Sequence, residues 1–199
     1  MADAIVLRPD RGSVSDDLKK SSGWWGMLFL VATEAAVFAY LLFSYYYMAI
    51  ENHSVWPSSA PSMKLALPNT IILLVSSVTV WWADRQYIAG RMTEAMDGLA
   101  ASVGLGVVFF GMQLIEWHNK TFTLASDPYG SLYFTITGFH MAHVVVGLVI
   151  MATLILWLAL GHLSDRRNSA VSIAAIYWHF VDAVWLTVFF TFYITPYLS

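Results

Sequence analysis

Five long apolar runs, separated by short polar segments, constrain this 199-residue chain more than any other feature. They occupy residues 23–50, 68–90, 99–117, 131–160 and 170–195, the second reaching its length only by extending into the turn at Tyr87–Gly90. A bilayer core of roughly 30 Å is crossed by about 20 mostly apolar residues in an α-helix. Single apolar runs of this length are not the alternating ten-residue strands of a membrane barrel, and lipid leaves the helix as the way to satisfy the backbone. The expected fold is all-α: an integral membrane bundle of five transmembrane helices, 23–199, behind a polar tail, 1–22.

Composition agrees, with 58% hydrophobic and 12% charged residues and a mean hydropathy of +0.63. A net charge of −3 spread over short loops gives nucleic-acid binding no support. The chain has no cysteine, which excludes disulfides, thiolate metal sites, iron–sulfur clusters and covalently attached c-type haem. The tail lacks an apolar core and a small-residue cleavage site, so no cleavable signal peptide is expected.

Basic residues set an orientation. Arg8, Arg11, Lys19, Lys20, Arg85, Arg91, Arg166 and Arg167 fall on one side, Lys64 and Lys120 on the other. The positive-inside rule then places the N-terminus in the cytoplasm and the C-terminus outside. Trp24, Trp25 and the run Tyr45, Tyr46 and Tyr47 bracket the first span and read as an interfacial anchoring belt. Ala100 and Gly104, four apart, are expected to let the third helix approach a neighbour closely.

Ionisable residues inside the spans carry the functional signal. Glu34 lies ten residues past Trp24, roughly 15 Å into the membrane at 1.5 Å per residue. His140 and His143 lie 9 and 12 residues past Ser131, and His179 and Asp182 the same distances past Ala170, at depths of about 13 and 18 Å. Three helices thus place acids and imidazoles in one central layer. Each i, i+3 pair is expected on one side of its helix. A lone charge at the bilayer centre costs about 2.5–3.5 kcal/mol on insertion scales, so grouping is favoured. Glu34 is expected to face the bundle interior and bond His143. Glu116 is expected near the outer mouth of the third helix. The plainer reading of His179 and Asp182 is helix pairing, and of HxxH without further ligands, packing. A di-metal carboxylate site wants Glu-x-x-His on each of two helices, and the chain has none.

Several motifs, in order along residues 24–193, carry a resemblance: WGMLFLVATEAAVF around Glu34, LPNTIILLVSSVTVWWA, QLIEWHN with Glu116, YGSLYFTITGFHMAHVVVG and IYWHFVDAVWLTVFF. Together they are similar to cytochrome c oxidase subunit III, in its short five-helix bacterial form. The resemblance implies a non-catalytic integral subunit of a proton-pumping haem–copper terminal oxidase, in the bacterial cytoplasmic membrane. It implies packing on catalytic subunit I, with subunit II and a small subunit IV as further partners. It also implies bound phospholipid, support of proton uptake and turnover stability, and haems and copper on the partner chains with none on this one. Glu34 matches the carboxylate that hydrophobic carbodiimides modify in the family. Two departures stand out. Long members have two further helices that form a lipid-filled cleft with the other five, and between its two histidines this chain has Met141-Ala142 where Gly-Leu is usual.

Three other readings compete. One is the accessory subunit of a nitric oxide reductase. Another is a small haem b cytochrome with His140 or His143 facing His179. The third is an ion transporter built on Glu34, against which stands the lack of an internal repeat.

Overall fold

The computed structural model describes residues 22–52, 56, 62–162 and 169–197. Residues 1–21 of the polar tail, with Arg8, Arg11, Lys19 and Lys20, and the loop residues Arg166 and Arg167 lie outside the described residues. Five helices follow one another: α1 Ser22–Glu51, α2 Met63–Ile88, α3 Met92–His118, α4 Pro128–Ala159 and α5 Ala170–Phe189. All five are long and apolar enough to cross a membrane, and the described residues contain no strand.

The helix ends follow from local chemistry. Ser62 caps α2, its hydroxyl accepting from the Lys64 amide, so α2 starts at Met63, ahead of the expected residue 68. Pro68 therefore sits inside α2 near its start. Asp127 caps α4, its carboxylate accepting from the Gly130 amide at 2.6 Å, with Pro128 in the first turn where a missing donor is harmless. The α2–α3 turn needs a left-handed residue, supplied by Gly90 at φ 79°. Its amide bonds the Tyr87 carbonyl while the Arg91 amide reaches back to Gln86, closing the end of α2.

Within the bundle, α2 and α3 form a tight hairpin, and α5 packs on α1, α2 and α4. Helix α1 touches chiefly α4 and α5, so it is an edge helix. Only 6% of its most apolar stretch is buried, against 56% for the last span. Contacts fix the registers. Glu34 meets His143 and Phe38 meets Phe139, so α1 and α4 are antiparallel. Thr70 meets Trp185, Ser77 meets His179 and Asp84 meets Ser172, so α2 and α5 are antiparallel as well.

Trp178 is the centre of the packing. Its indole N–H donates to the Ser76 hydroxyl at 3.0 Å, and two glycines make room for its ring. A Cβ at Gly147 on α4 would stand 2.7 Å from that ring, and one at Gly106 on α3 would stand 3.0 Å from it. The close approaches of α3 therefore use Gly98, Ser102 and Gly106, which are buried. The expectation for Ala100 and Gly104 is corrected: Ala100 is exposed and Gly104 has open space beside it. Two residues along a helix is about 200° of rotation, which turns that pair to the opposite face.

The anchoring belt also needs correction at one residue. Tyr45 is buried among Trp56, Tyr129 and Phe192, whereas Trp25 and Tyr47 are exposed. Past Phe189 the last span widens into a π-helical turn, Phe190–Ile194, and ends in a short 3-10 turn, Thr195–Tyr197. The wide turn places Thr191 on Tyr46 of α1 and Tyr193 on Glu116 of α3.

Candidate functional site

The ionisable residues of the spans occupy separate places. Glu34 and His143 do meet, with Glu34 Oε2 3.2 Å from His143 Nε2. The helical register brings them together: each lies one turn from a member of the Phe38–Phe139 contact, and Phe38 also stands edge-on to the His143 ring. Next to the pair is an open cleft of about 230 Å³ lined by Leu30, Glu34, Ala142, His143, Val146 and Tyr177. The Glu34 side chain is 33% exposed there and the His143 side chain 13%. Glu34 thus faces its neighbour helix and an open cleft at once, where the sequence placed it in the bundle interior.

His140 goes elsewhere. It is fully buried, tilted against Trp185 at 4.9 Å between ring centroids, with Phe109 edge-on at 5.9 Å. The expected common side for His140 and His143 is corrected. Three residues are about 300° of rotation, which leaves two side chains 60° apart. That angle sends His140 between α3 and α5 and His143 to α1.

His179 and Asp182 belong to the α2–α5 contact. His179 Nδ1 is 2.6 Å from the Ser77 hydroxyl. Asp182 is buried with neither carboxylate oxygen in a hydrogen bond. Two turns from His179 toward the start of α5 the Ser172 hydroxyl donates to Asp84 at 2.5 Å. The single central layer therefore resolves into a pair at an open cleft, a buried imidazole and a row of polar contacts between α2 and α5.

Glu116 sits at the far end of α3, buried, inside a constellation that sequence reasoning did not foresee. The Tyr193 hydroxyl donates to it, Lys120 forms an ion pair with it at 3.0 Å, and the Tyr133 and Tyr193 hydroxyls are 3.2 Å apart. The Lys120 ammonium also lies over both phenol rings, 5.0 and 5.5 Å from their centroids. The i, i+4 spacing of Glu116 and Lys120 was visible, but Tyr193 reaches them only through the π turn and Tyr133 from α4.

The geometry bears on cofactors. A haem held by two histidines needs His140 or His143 facing His179. Here the three imidazoles turn to α3 and α5, to α1 and to α2 respectively. Among the described residues no group of three or more His, Asp and Glu is placed to hold a metal ion.

Comparison with known proteins supplies the family. The model of the family described as cytochrome c oxidase subunit III matches residues 13–197. The chain is 33% identical over 177 residues to cytochrome c oxidase subunit 3 of Danio rerio, covering 85% of this chain and 68% of that protein. It is 34% identical over 189 residues to cytochrome c oxidase subunit 3 of Pisaster ochraceus, covering 91% and 71%. It is 35% identical over 170 residues to that of Patiria pectinifera, covering 81% and 65%. The chain therefore belongs to the cytochrome c oxidase subunit III family, and is a multi-pass membrane subunit of a respiratory terminal oxidase, an oxidoreductase complex whose other subunits are its partners.

Proposed function

We propose that this chain is a non-catalytic subunit that packs on the catalytic subunit I of a proton-translocating oxidase, alongside subunit II and a small subunit IV. In this reading haems and copper sit on the partner chains, and the complex lies in a bacterial cytoplasmic membrane with this chain's N-terminus inside. The observation that carries the reading is the Glu34–His143 pair beside an open apolar cleft. An ionisable pair at bilayer depth is expensive and points to function by default. Phospholipid acyl chains fill the cleft and cover the edge helix α1, and the pair shapes hydration and field near proton entry on the catalytic subunit. The role is to sustain proton uptake and turnover, with no redox step on this chain.

The test is purification of the tagged chain in mild detergent, with identification of co-purifying subunits, haems and lipids. Glu34→Ala is then compared with wild type over many turnovers. The expected result is intact assembly, a normal initial rate and early loss of activity. Unchanged endurance with unchanged lipid content would reduce the pair to a packing contact.

A further inference from the structure

We propose that Asn69, Gln113 and His140 enclose a buried water-binding site, and that Tyr133, Tyr193 and Glu116 link it to the end of the bundle where α3 gives way to α4. Asn69 on α2, Gln113 on α3 and His140 on α4 are 1%, 0% and 0% exposed. Both polar side-chain atoms of each are without a hydrogen-bond partner. Buried polar groups in native proteins are almost always satisfied, and leaving six such atoms bare is far costlier than ordering a bridging water.

The three residues lie within about one helical turn of one another along the bundle. His140 rests on Trp185, whose indole N–H donates to Thr70, the neighbour of Asn69. Phe109 stands edge-on to both the His140 and Trp185 rings, and Gln113 is one helical turn further along the same face of α3. The α2–α3 register, set by Thr79 on Ser102 and Gly98 against Ala83, runs on to bring Asn69 level with Gln113. The register thus brings unpartnered polar residues of three helices close to one level, beside an aromatic wall. A site of this kind, with donors and acceptors on several sides, suits water rather than an ion or an apolar ligand.

The link outward is directional. Tyr193 has one hydroxyl hydrogen and gives it to Glu116, so in the 3.2 Å contact Tyr133 is the donor to Tyr193. The Tyr133 oxygen is then free to accept, and Gln113 lies beside it. At the far end Glu116 Oε2 and Trp117 Nε1 are also unpartnered, and Lys120 marks the exit. Hydrogens can therefore exchange stepwise between His140, water, Tyr133, Tyr193 and Glu116, with no net chemistry and no co-reactant. The inference is independent of the proposed role of Glu34, which meets α4 at His143 and not at His140.

The test uses the assembled complex in bilayers with ¹⁵N-labelled histidine. Water-edited solid-state NMR reads transfer from water to each imidazole, and the His140 signal is assigned by its loss in His140→Gln. The expected result is strong water transfer to His140 despite its complete burial. In Tyr193→Phe the exchange of His140 hydrogens on transfer to D₂O slows about tenfold, because exchange must then await local opening. Tyr133→Phe is a second cut in the same route, with the same expected slowing. No water transfer to His140 in the intact wild-type complex overturns the site. Unchanged exchange in both tyrosine variants overturns the link.

Discussion

Glu34 on α1 and His143 on α4 form a pair that holds one proton between them. His143 Nδ1 is 2.7 Å from the Phe139 carbonyl, which can only accept, so Nδ1 carries a hydrogen. The 3.2 Å contact between Nε2 and Glu34 Oε2 then needs one further hydrogen, on either atom. A neutral acid facing a neutral imidazole and a carboxylate facing an imidazolium both satisfy this. Both have zero net charge, which suits a position beside an apolar cleft in a membrane span.

Reaction with an apolar carbodiimide follows from exposure. The reagent reaches carboxyl groups from the lipid phase and needs a protonated one. Glu34 is open to the cleft, whereas Asp182 and Glu116 are buried. Mass spectrometry of the treated complex should find the adduct on Glu34 and neither of the other two, and none in Glu34→Gln. Equal labelling of Asp182 contradicts the burial described above.

The pair should also show coupling. Removing one partner leaves the other's polar group facing apolar surroundings, while removing both leaves an apolar contact in an apolar place. Glu34→Leu and His143→Leu should each lower the thermal midpoint of the assembled subunit, and the double variant should recover part of the loss. The expected coupling is about 0.5–3 kcal/mol. Strict additivity would mean that the contact contributes nothing.

Gly147 and Gly104 make an internal control. A Cβ at Gly147 would meet the Trp178 ring at 2.7 Å, with that ring held by Ser76 on its other edge. Gly147→Ala should therefore destabilise by about 1–3 kcal/mol through overpacking. Nothing lies within 4 Å of a Cβ at Gly104, so Gly104→Ala should be neutral or stabilise by up to about 1 kcal/mol through helix propensity. Thermal unfolding followed by aggregation of the detergent-solubilised subunit separates the two. Similar effects at both positions would contradict the packing around Trp178.

Hydropathy made the five helices legible because each must be apolar on nearly every face, so length alone reveals it. Glu34 and His143 were legible as partners because depth can be counted from each helix end. The partners of His140 were not, since a 60° difference around α4 decides between an open cleft and the core, and depth says nothing of angle. The α2–α5 row of Asp84–Ser172, Ser77–His179 and Thr70–Trp185 was equally hidden. Serines and threonines are tolerated anywhere along a membrane helix, bonding their own backbone, as Thr70 also does to Ala66. Tyr193 was unreadable for a third reason. Its contact with Glu116 depends on a π turn, and nothing in FTFYI announces one.

Glu116 receives two donors on one oxygen, the Tyr193 hydroxyl and the Lys120 ammonium. The two are not equivalent. Tyr193→Phe removes the hydrogen bonds to Glu116 and from Tyr133 and leaves the ion pair, for an expected loss of about 1–3 kcal/mol. Lys120→Met leaves a buried carboxylate without its counter-charge and also strips the cation from above Tyr133 and Tyr193, for an expected loss of about 3–5 kcal/mol. Side-chain exposure of 6% for Glu116 and 16% for Lys120 keeps solvent screening small. Adding Glu116→Gln to Lys120→Met should restore much of the loss, because a neutral amide still accepts from Tyr193. Thermal midpoints of the three variants in one detergent give the order directly. A Lys120→Met variant as stable as wild type would show that Glu116 is neutral in the folded subunit, with its own proton in place of the lysine.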